Sequence, residues 1–204
     1  MFSCVHSEFY NNYQGLTAYQ YNENDARVMI EDVTPKNNQY HGMYLTGTGI
    51  TVNNANIKNN GFAGLAIGDN VFNEITLAGD ITSTNNDYGF VTFLSTKGAV
   101  HVTGNLDLNR NGKNGLDSSG SDSLTIAVGS SNSGKSGKSG SGSLTACDNG
   151  QYDINNVDGV TFIGSDFTCD TTKGFPESDC KPCYPGCDEP SGTSIAQETK
   201  YLPR

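Results

Sequence analysis

The sequence predicts an all-β fold in which short parallel strands stack into about seven coils, and three observations support this prediction. The composition disfavours helices, because Asn occurs 23 times and Gly 25 times in 204 residues, and both are poor helix formers. An Asn-rich corner recurs about every two dozen residues, and a short apolar strand pattern recurs in phase with it. Such repeats are typical of solenoids, whose units bury their apolar faces only by stacking.

The corner repeat is an Asn, usually one of a pair, followed three or four residues later by Gly and an apolar residue. Its glycines are Gly15, Gly42, Gly64, Gly89, Gly115 and Gly159. Glycine at this position predicts a corner that needs either a positive φ or a close backbone approach. The Asn pairs are predicted to stack as ladders, in which side-chain amides bond from one coil to the next.

The main strand pattern is an apolar-x-apolar triplet, which predicts a strand with two side chains inward and one outward. The triplets begin at Val28, Ile50, Ile75, Val100, Leu124, Leu144 and Phe167. The expected inward residues include Ile50, Val52, Ile75, Leu77, Val100, Val102, Leu124 and Ile126. The residues expected to be exposed between them are Thr51, Thr76, His101 and Thr125. A weaker strand series consists of Val33, Ile57, Ile81, Leu106 and Ile154.

Coils of 22 to 27 residues with three strands and a corner Asn resemble the right-handed parallel β-helix of the pectin-lyase-like superfamily, from about Gly15 to Asp170. The Ser/Gly insert and the Cys/Pro tail are also similar to features of secreted algal β-helix proteins of unknown function. We therefore expect a right-handed parallel β-helix over residues 1–172 and a Cys/Pro-rich tail or linker over 173–204. Within the β-helix, residues 129–143 are expected to form a flexible loop between two coils.

The charge and the cysteines restrict the function. A formal net charge of −10 disfavours nucleic acid as a partner, because phosphate binding needs a basic patch. No stretch approaches the roughly 18 apolar residues needed for membrane insertion. Six cysteines in a polar chain predict an extracellular or cell-surface location, and the first twelve residues lack the features of a signal peptide. The expectation is a chain that has lost its true N-terminus.

Enzymes of the resembled superfamily act on acidic polysaccharides, but the motifs of their hydrolase branch (Asn-Thr-Asp, Asp-Asp, Gly-His-Gly and Arg-Ile-Lys) are absent. His101 has mainly Thr neighbours in its column, which predicts a surface histidine and not a catalytic one. We assign no catalytic residue, cofactor or metal. The leading hypothesis is a non-enzymatic structural or adhesive module that contacts polysaccharide or a cell-wall component. The alternative is a lyase or epimerase whose active site lies in missing N-terminal coils.

Aromatic residues near the corners are candidates for carbohydrate binding, because exposed rings stack on sugars, although they also serve to pack corners. The candidate residues are Tyr40, His41, Tyr88 and Tyr152.

The cysteine spacing suggests disulfides. Cys147 and Cys169 are 22 residues apart, about one coil, and are predicted to form a disulfide. The tail cysteines Cys180, Cys183 and Cys187 favour disulfides over zinc, because a fourth nearby ligand is missing. A bond from this tail to a neighbouring domain of a longer chain stays open, as does the partner of Cys4.

Overall fold

A computed structural model describes residues 2–20, 27–68, 72–93, 96–118, 123–129, 142–156 and 160–183 of the chain. Apart from one short 3-10 helix, Glu177–Asp179, the described elements are strands. They are β1 (Phe2–Val5), β2 (Glu8–Tyr10), β3 (Leu16–Gln20), β4 (Val28–Lys36), β5 (Met43–Lys58), β6 (Ala63–Ile67), β7 (Phe72–Thr84), β8 (Tyr88–Thr92), β9 (Lys97–Val102), β10 (Asn105–Asp107), β11 (Asn114–Asp117), β12 (Ser123–Val128), β13 (Ser143–Thr145), β14 (Tyr152–Asn155), β15 (Thr161–Ile163), β16 (Phe167–Thr168), β17 (Thr172–Lys173) and β18 (Cys180–Lys181).

The strands form a parallel β-solenoid with three faces, which confirms the predicted fold class. The first face consists of β1, the parts of β4, β5 and β7 at 28–31, 50–53 and 72–78, then β9, β12 and β15. The second face consists of β2, the ends of β4, β5 and β7, then β10, β13, β16 and β18. The third face consists of β3, the start of β5, then β6, β8, β11, β14 and β17. The first face thus stacks seven rungs, and the solenoid as a whole makes about five turns, where the sequence predicted about seven coils.

The first face has the predicted inward and outward alternation. The eight apolar residues expected to point inward are all buried, with exposures of 1% or less. The intervening residues Thr51, Thr76, His101 and Thr125 are half-buried and not fully exposed. His101 is paired with Thr76 on one side and with Ala127 on the other, so Thr125 lies outside the column of His101.

Two of the apolar-x-apolar triplets, those that begin at Leu144 and Phe167, lie on the second face and not on the first. Leu144 is paired with Leu106, and Phe167 is paired with Leu144. The Ser/Gly/Lys insert therefore interrupts a single turn between β12 and β13, and the prediction that it separates two coils is wrong. Its residues 130–141 lie outside the described part of the chain. The error arose because strands on both faces have a two-residue period, so spacing alone does not tell them apart.

The weaker strand series is also partly misaligned. Val33 is level with Ala55, and Ile81 is level with Leu106. Ile57 lies two residues beyond this column. Ile154 lies on the third face, where it pairs with Leu116.

The corner asparagines form a buried ladder, as predicted. The ladder consists of Asn38, Asn60, Asn86, Asn111 and Asn149 and ends at the Asp153 carboxylate. At each step the side-chain oxygen of one Asn accepts the backbone N–H and the side-chain N–H of the preceding Asn. For Asn86, these bonds from Asn60 measure 2.9 and 3.0 Å. Each step thus satisfies polar groups that the solenoid buries.

The corner glycines leave room for this ladder. A Cβ atom on Gly64 would lie 2.7 Å from Nδ2 of Asn86, and Gly42 stands in the same relation to Asn60. Close approach, and not a positive φ, is therefore the reason for glycine at these positions. Gly159 lies outside the described residues.

The residue before each ladder Asn has a left-handed backbone, which Asn and Asp tolerate better than most residues. These residues are Asn37, Asn59, Asn85, Arg110 and Asp148, all with φ of 56 or 57°. Arg110 is the exception in residue type, and its charge acts on the nearby Asp107 carboxyl. In each Asn pair, the first residue therefore turns the chain and the second residue contributes its side chain to the ladder.

The C-terminal residues continue the stack beyond the predicted domain boundary. The boundary at residue 172 falls inside β17, and β18 pairs with β16. This pairing brings two tail cysteines against the last turns. The bonds formed are Cys147–Cys183 and Cys169–Cys180, with Cα separations of 5.9 and 5.3 Å.

The predicted Cys147–Cys169 bond is therefore wrong. Cys169 is level with Ala146, so Cys147 is one residue out of register with it. Each coil cysteine bonds to the tail instead. Two disulfides suggest that the protein folds in an oxidising environment.

Candidate functional site

Four aromatic rings stack along the corner before the third face. The ring centroids of Tyr13 and Tyr40 are 5.6 Å apart, and those of Tyr40 and Phe62 are 5.0 Å apart, with nearly parallel planes. Tyr88 continues the row 5.1 Å from Phe62 at a steeper angle, and Lys113 Nζ lies 5.0 Å from the Tyr88 ring. We call the four residues Tyr13, Tyr40, Phe62 and Tyr88 the aromatic ladder.

The geometry of the aromatic ladder limits how it meets a ligand. Because neighbouring rings cover both faces of Tyr40 and Phe62, these rings present mainly their edges outward. Sugar stacking needs an open ring face, so the hydroxyl groups of Tyr40 and Tyr88 are the better contacts. Tyr152 pairs with Asn114 and lies outside the ladder, with Lys173 Nζ 5.8 Å from its ring. Tyr13 and Phe62 are not among the candidates that the sequence indicated, and the sequence pattern did not reveal the stacking.

His41 is buried beneath this ladder, with an exposed fraction of 1%. Its ring lies 4.1 Å from that of Tyr40 and 5.5–5.6 Å from those of Tyr44, Phe62 and Phe93. Its Nδ1 atom has no hydrogen-bond partner among the described residues. Burial lowers the pKa of His41 from 6.5 to about 4. The prediction that His41 contacts a sugar chain does not fit this burial.

We expect His41 to make the fold sensitive to acid. Because the unfolded chain binds a proton near pH 6.5 and the folded chain only near pH 4, the stability contributed by neutral His41 is lost as the pH falls between these values. The loss should reach about 3 kcal/mol at pH 4. Urea titrations measure the free energy of unfolding at pH 7 and at pH 4.5. Between these two pH values it should fall less in His41→Phe than in the natural protein. His101→Gln is the control, and an unchanged loss in His41→Phe would contradict the assignment.

A shallow polar groove of about 360 Å³ lies at the bend between the first and second faces. Three successive rungs line it with Asp32, Val33, Thr34, Asn54, Ala55, Asn56, Asp80 and Thr82. Asn54 donates to Asp32 at 3.0 Å and accepts the backbone N–H of Asp80 at 2.9 Å. Thr82 donates to Asn56 at 3.3 Å. The groove therefore presents a carboxylate and a hydroxyl, then two amides, then a carboxylate and a hydroxyl, on rungs about 4.8 Å apart. Sequence reasoning missed it, although the alignment of polar residues across coils could have revealed it.

The two carboxylates of the groove are held at its edges by further polar contacts. His6 Nε2 lies 3.2 Å from Asp32 Oδ2. Asn105 Nδ2 donates to Asp80 Oδ1 at 2.8 Å. A carboxylate accepts about four hydrogen bonds, so both groups keep capacity for hydroxyl donors.

The groups with shifted pKa values lie on separate parts of the solenoid. Burial raises the pKa of Asp107 on the second face, and the backbone N–H of Asn109 and the charge of Arg110 oppose this. The hydrogen bond to Asp87 raises the pKa of Lys113 at the corner. His41 lies beneath the aromatic ladder, so these groups do not form the acid–base pair that proton transfer requires.

The described ranges show neither a metal centre nor a membrane-spanning helix. Within these ranges, no cluster of three or more His, Cys, Asp or Glu side chains is arranged to hold a metal ion. No helix in the described part of the chain is long and apolar enough to span a membrane. No known protein family, curated protein or solved structure matches the chain.

Proposed function

We propose that the protein is a non-enzymatic extracellular module that holds an uncharged polysaccharide of a cell wall or cell surface. The polar groove is the observation that carries this proposal. A polymer lying along the solenoid axis meets hydrogen-bonding groups on three successive rungs: a carboxylate and a hydroxyl on the outer two and two amides on the middle one. Paired carboxylate and amide groups suit sugar hydroxyls, since the carboxylates accept and the amides both donate and accept.

The charge of the protein favours a neutral ligand. The chain carries a net charge of −10, and Asp32 and Asp80 add negative charge in the groove itself. A polyuronate would meet like charge along the whole contact. The proposal therefore departs from the acidic substrates of the pectin-lyase-like enzymes that the sequence resembles. The hydroxyl groups of Tyr40, Tyr88 and Tyr152 remain candidate secondary contacts on another part of the surface.

Co-sedimentation with cellulose tests this proposal, with polygalacturonate gel as the charged comparison. The double variant Asn56→Ala/Asp80→Ala removes exposed groove groups and should weaken cellulose binding about tenfold or more, at about 1 kcal/mol for each lost hydrogen bond. Thr76→Ala, on the outward side of the first face, is the matched control and should bind normally. Equal binding by the groove and control variants, or preferential binding of polygalacturonate, would contradict the proposal.

A further inference from the structure

The polar groove is part of a longer series of triplets that repeats every two rungs. Four successive rungs at the bend between the first and second faces carry an outward polar residue on either side of a buried apolar residue. These triplets are residues 32–34 of β4, 54–56 of β5, 80–82 of β7 and 105–107 of β10. The strand pairing places their buried middle residues level with one another. We call the outward residues, all exposed or half-buried, the polar strip, which consists of Asp32, Thr34, Asn54, Asn56, Asp80, Thr82, Asn105 and Asp107.

The polar strip contains the same hydrogen-bonded pair of a carboxylate and an amide twice. Asn54 Nδ2 donates to Asp32 Oδ1 at 3.0 Å, and Asn105 Nδ2 donates to Asp80 Oδ1 at 2.8 Å. Each carboxylate shares its rung with a threonine, and each amide lies on the next rung. The pair therefore recurs after two rungs, or about 10 Å along the solenoid axis. The second pair ends on β10, which lies beyond the residues that line the groove.

The backbone does not by itself require this alternation. Asp32 and Asn54 have left-handed φ values of 52° and 57°, at which Asp and Asn are favoured. On the third rung, Gly79 takes the left-handed conformation instead, with a φ of 65°. Asp80 follows this glycine, and neither Asp80 nor Asn105 has a positive φ. The order of acid and amide thus continues on two rungs where the local conformation does not select these residue types.

Among the described residues, the neighbouring outward column of the first face does not repeat its acid–amide pair. Asn53 Nδ2 donates to Glu31 Oε1 at 3.0 Å, but Ala78 lies level with Asn53 on the next rung. In the polar strip itself the alternation ends at the fifth rung, where Ser143 Oγ donates to Asn105 Oδ1 at 3.0 Å. Two complete repeats over four rungs therefore define the strip.

We propose that the polar strip binds a β-1,4-linked chain of neutral pyranose sugars, with one sugar to each rung. In the extended form of such a chain, each sugar is turned over relative to its neighbours, so equivalent edges face the protein at every second sugar. One extended sugar has nearly the length of the rung spacing, about 4.8 Å. The two-sugar repeat of the chain therefore matches the two-rung repeat of the strip. This inference rests on the proposed polysaccharide contact and adds the linkage and the length of the bound segment.

The two orientations of the sugar meet different hydrogen-bonding groups. On the first and third rungs, the carboxylate accepts protons from sugar hydroxyls, and the threonine hydroxyl donates or accepts. On the second and fourth rungs, the asparagine amides both donate and accept. An α-1,4-linked glucan coils and a β-1,3-linked glucan curves, so neither keeps this register over four rungs. The polar groups that such a chain leaves unpaired reduce its affinity.

Three neutral glucose tetrasaccharides that differ only in linkage test the proposal, by isothermal titration calorimetry with the full chain. The β-1,4-linked tetrasaccharide should bind at least about tenfold more tightly than the α-1,4-linked and β-1,3-linked ones. Asn105→Ala changes a residue outside the groove lining and should weaken binding of the β-1,4-linked tetrasaccharide about fivefold, as expected for one hydrogen bond. Gln151→Ala is the matched control, because it removes an exposed amide at the corner before the third face. Circular dichroism verifies that both variants are folded.

The outcomes separate this inference from the proposed function. Equal affinity for the three linkages, weakened by Asn56→Ala/Asp80→Ala, would overturn the linkage and leave the polysaccharide contact standing. Unchanged binding by Asn105→Ala would overturn the extension of the site to the fourth rung. No measurable binding of any tetrasaccharide would overturn the inference, and a failure to co-sediment with cellulose as well would overturn the proposed function.

Discussion

Removing the Cys147–Cys183 bond by double substitution with Ser is expected to lower the free energy of unfolding by roughly 4 kcal/mol. The bond closes a separation of 36 residues, and the entropy of the unfolded chain rises with the length of the loop that is released. Removing Cys169–Cys180, with a separation of 11 residues, should cost about 3 kcal/mol by the same relation. Urea denaturation of both double variants measures the two effects.

Peptide mapping without reduction provides the matching chemical test. It should recover Cys147 linked to Cys183 and Cys169 linked to Cys180. Cys4→Ser is the control for stability, because it removes a cysteine that has no disulfide partner in the described chain. Recovery of a Cys147–Cys169 peptide would contradict the position of the tail.

Replacing Asn86 with Ala is expected to lower the free energy of unfolding by about 3 kcal/mol. Its side-chain oxygen accepts two bonds from Asn60, and its side-chain nitrogen donates to Asn111. The side chain is buried, so its removal leaves buried donors without an acceptor, at about 1–3 kcal/mol for each unsatisfied group. Thermal or urea unfolding followed by circular dichroism gives the measurement.

The exposed residue Asn56 supplies the control for the ladder. Asn56→Ala removes one weak contact with Thr82 and should change the stability by less than about 1 kcal/mol. Equal destabilisation by the two variants would show that the buried ladder has no special role. It would also mean that the ladder does not explain why position 64 is a glycine.

The repeat itself was predictable because each coil needs the same buried strand residues and the same kind of corner. Ile75 and Leu77 alternate with Thr76, and a two-residue period is the direct signature of a strand with one buried side. The Asn pairs were equally informative, since Asn is well suited both to a left-handed corner and to a buried amide ladder. Repetition over several turns made each local inference stronger than it would be in a single strand.

The errors arose where the repeat was interrupted. The insert before Leu144 removed the spacing that separates the first face from the second, and both faces accept the same triplet. The disulfide partners in the tail were not predictable, because β18 consists of only Cys180 and Lys181, which carry no recognisable strand pattern. Its position depends on tertiary contacts with the last turn.

The candidate sites were less predictable than the fold. The burial of His41 depends on Tyr44 and Phe93, which come from different coils. The groove forms because Asn54 and Asp80 lie next to each other on neighbouring rungs. The register between β5 and β7 brings them together, and the sequence alone does not give this register. Residue types near a corner indicate that it is polar or aromatic, but they do not determine which side chains face solvent.

Isothermal titration calorimetry with soluble oligosaccharides distinguishes binding from turnover in one experiment. A neutral β-glucan oligosaccharide should give heat pulses that saturate and return to baseline, because the proposed function is binding of hydroxyl groups in the groove without chemistry. A polygalacturonate oligosaccharide should give no comparable saturation. Sustained heat flow with polygalacturonate, lost in His41→Phe or His101→Gln, would contradict a non-enzymatic role and favour a lyase or epimerase.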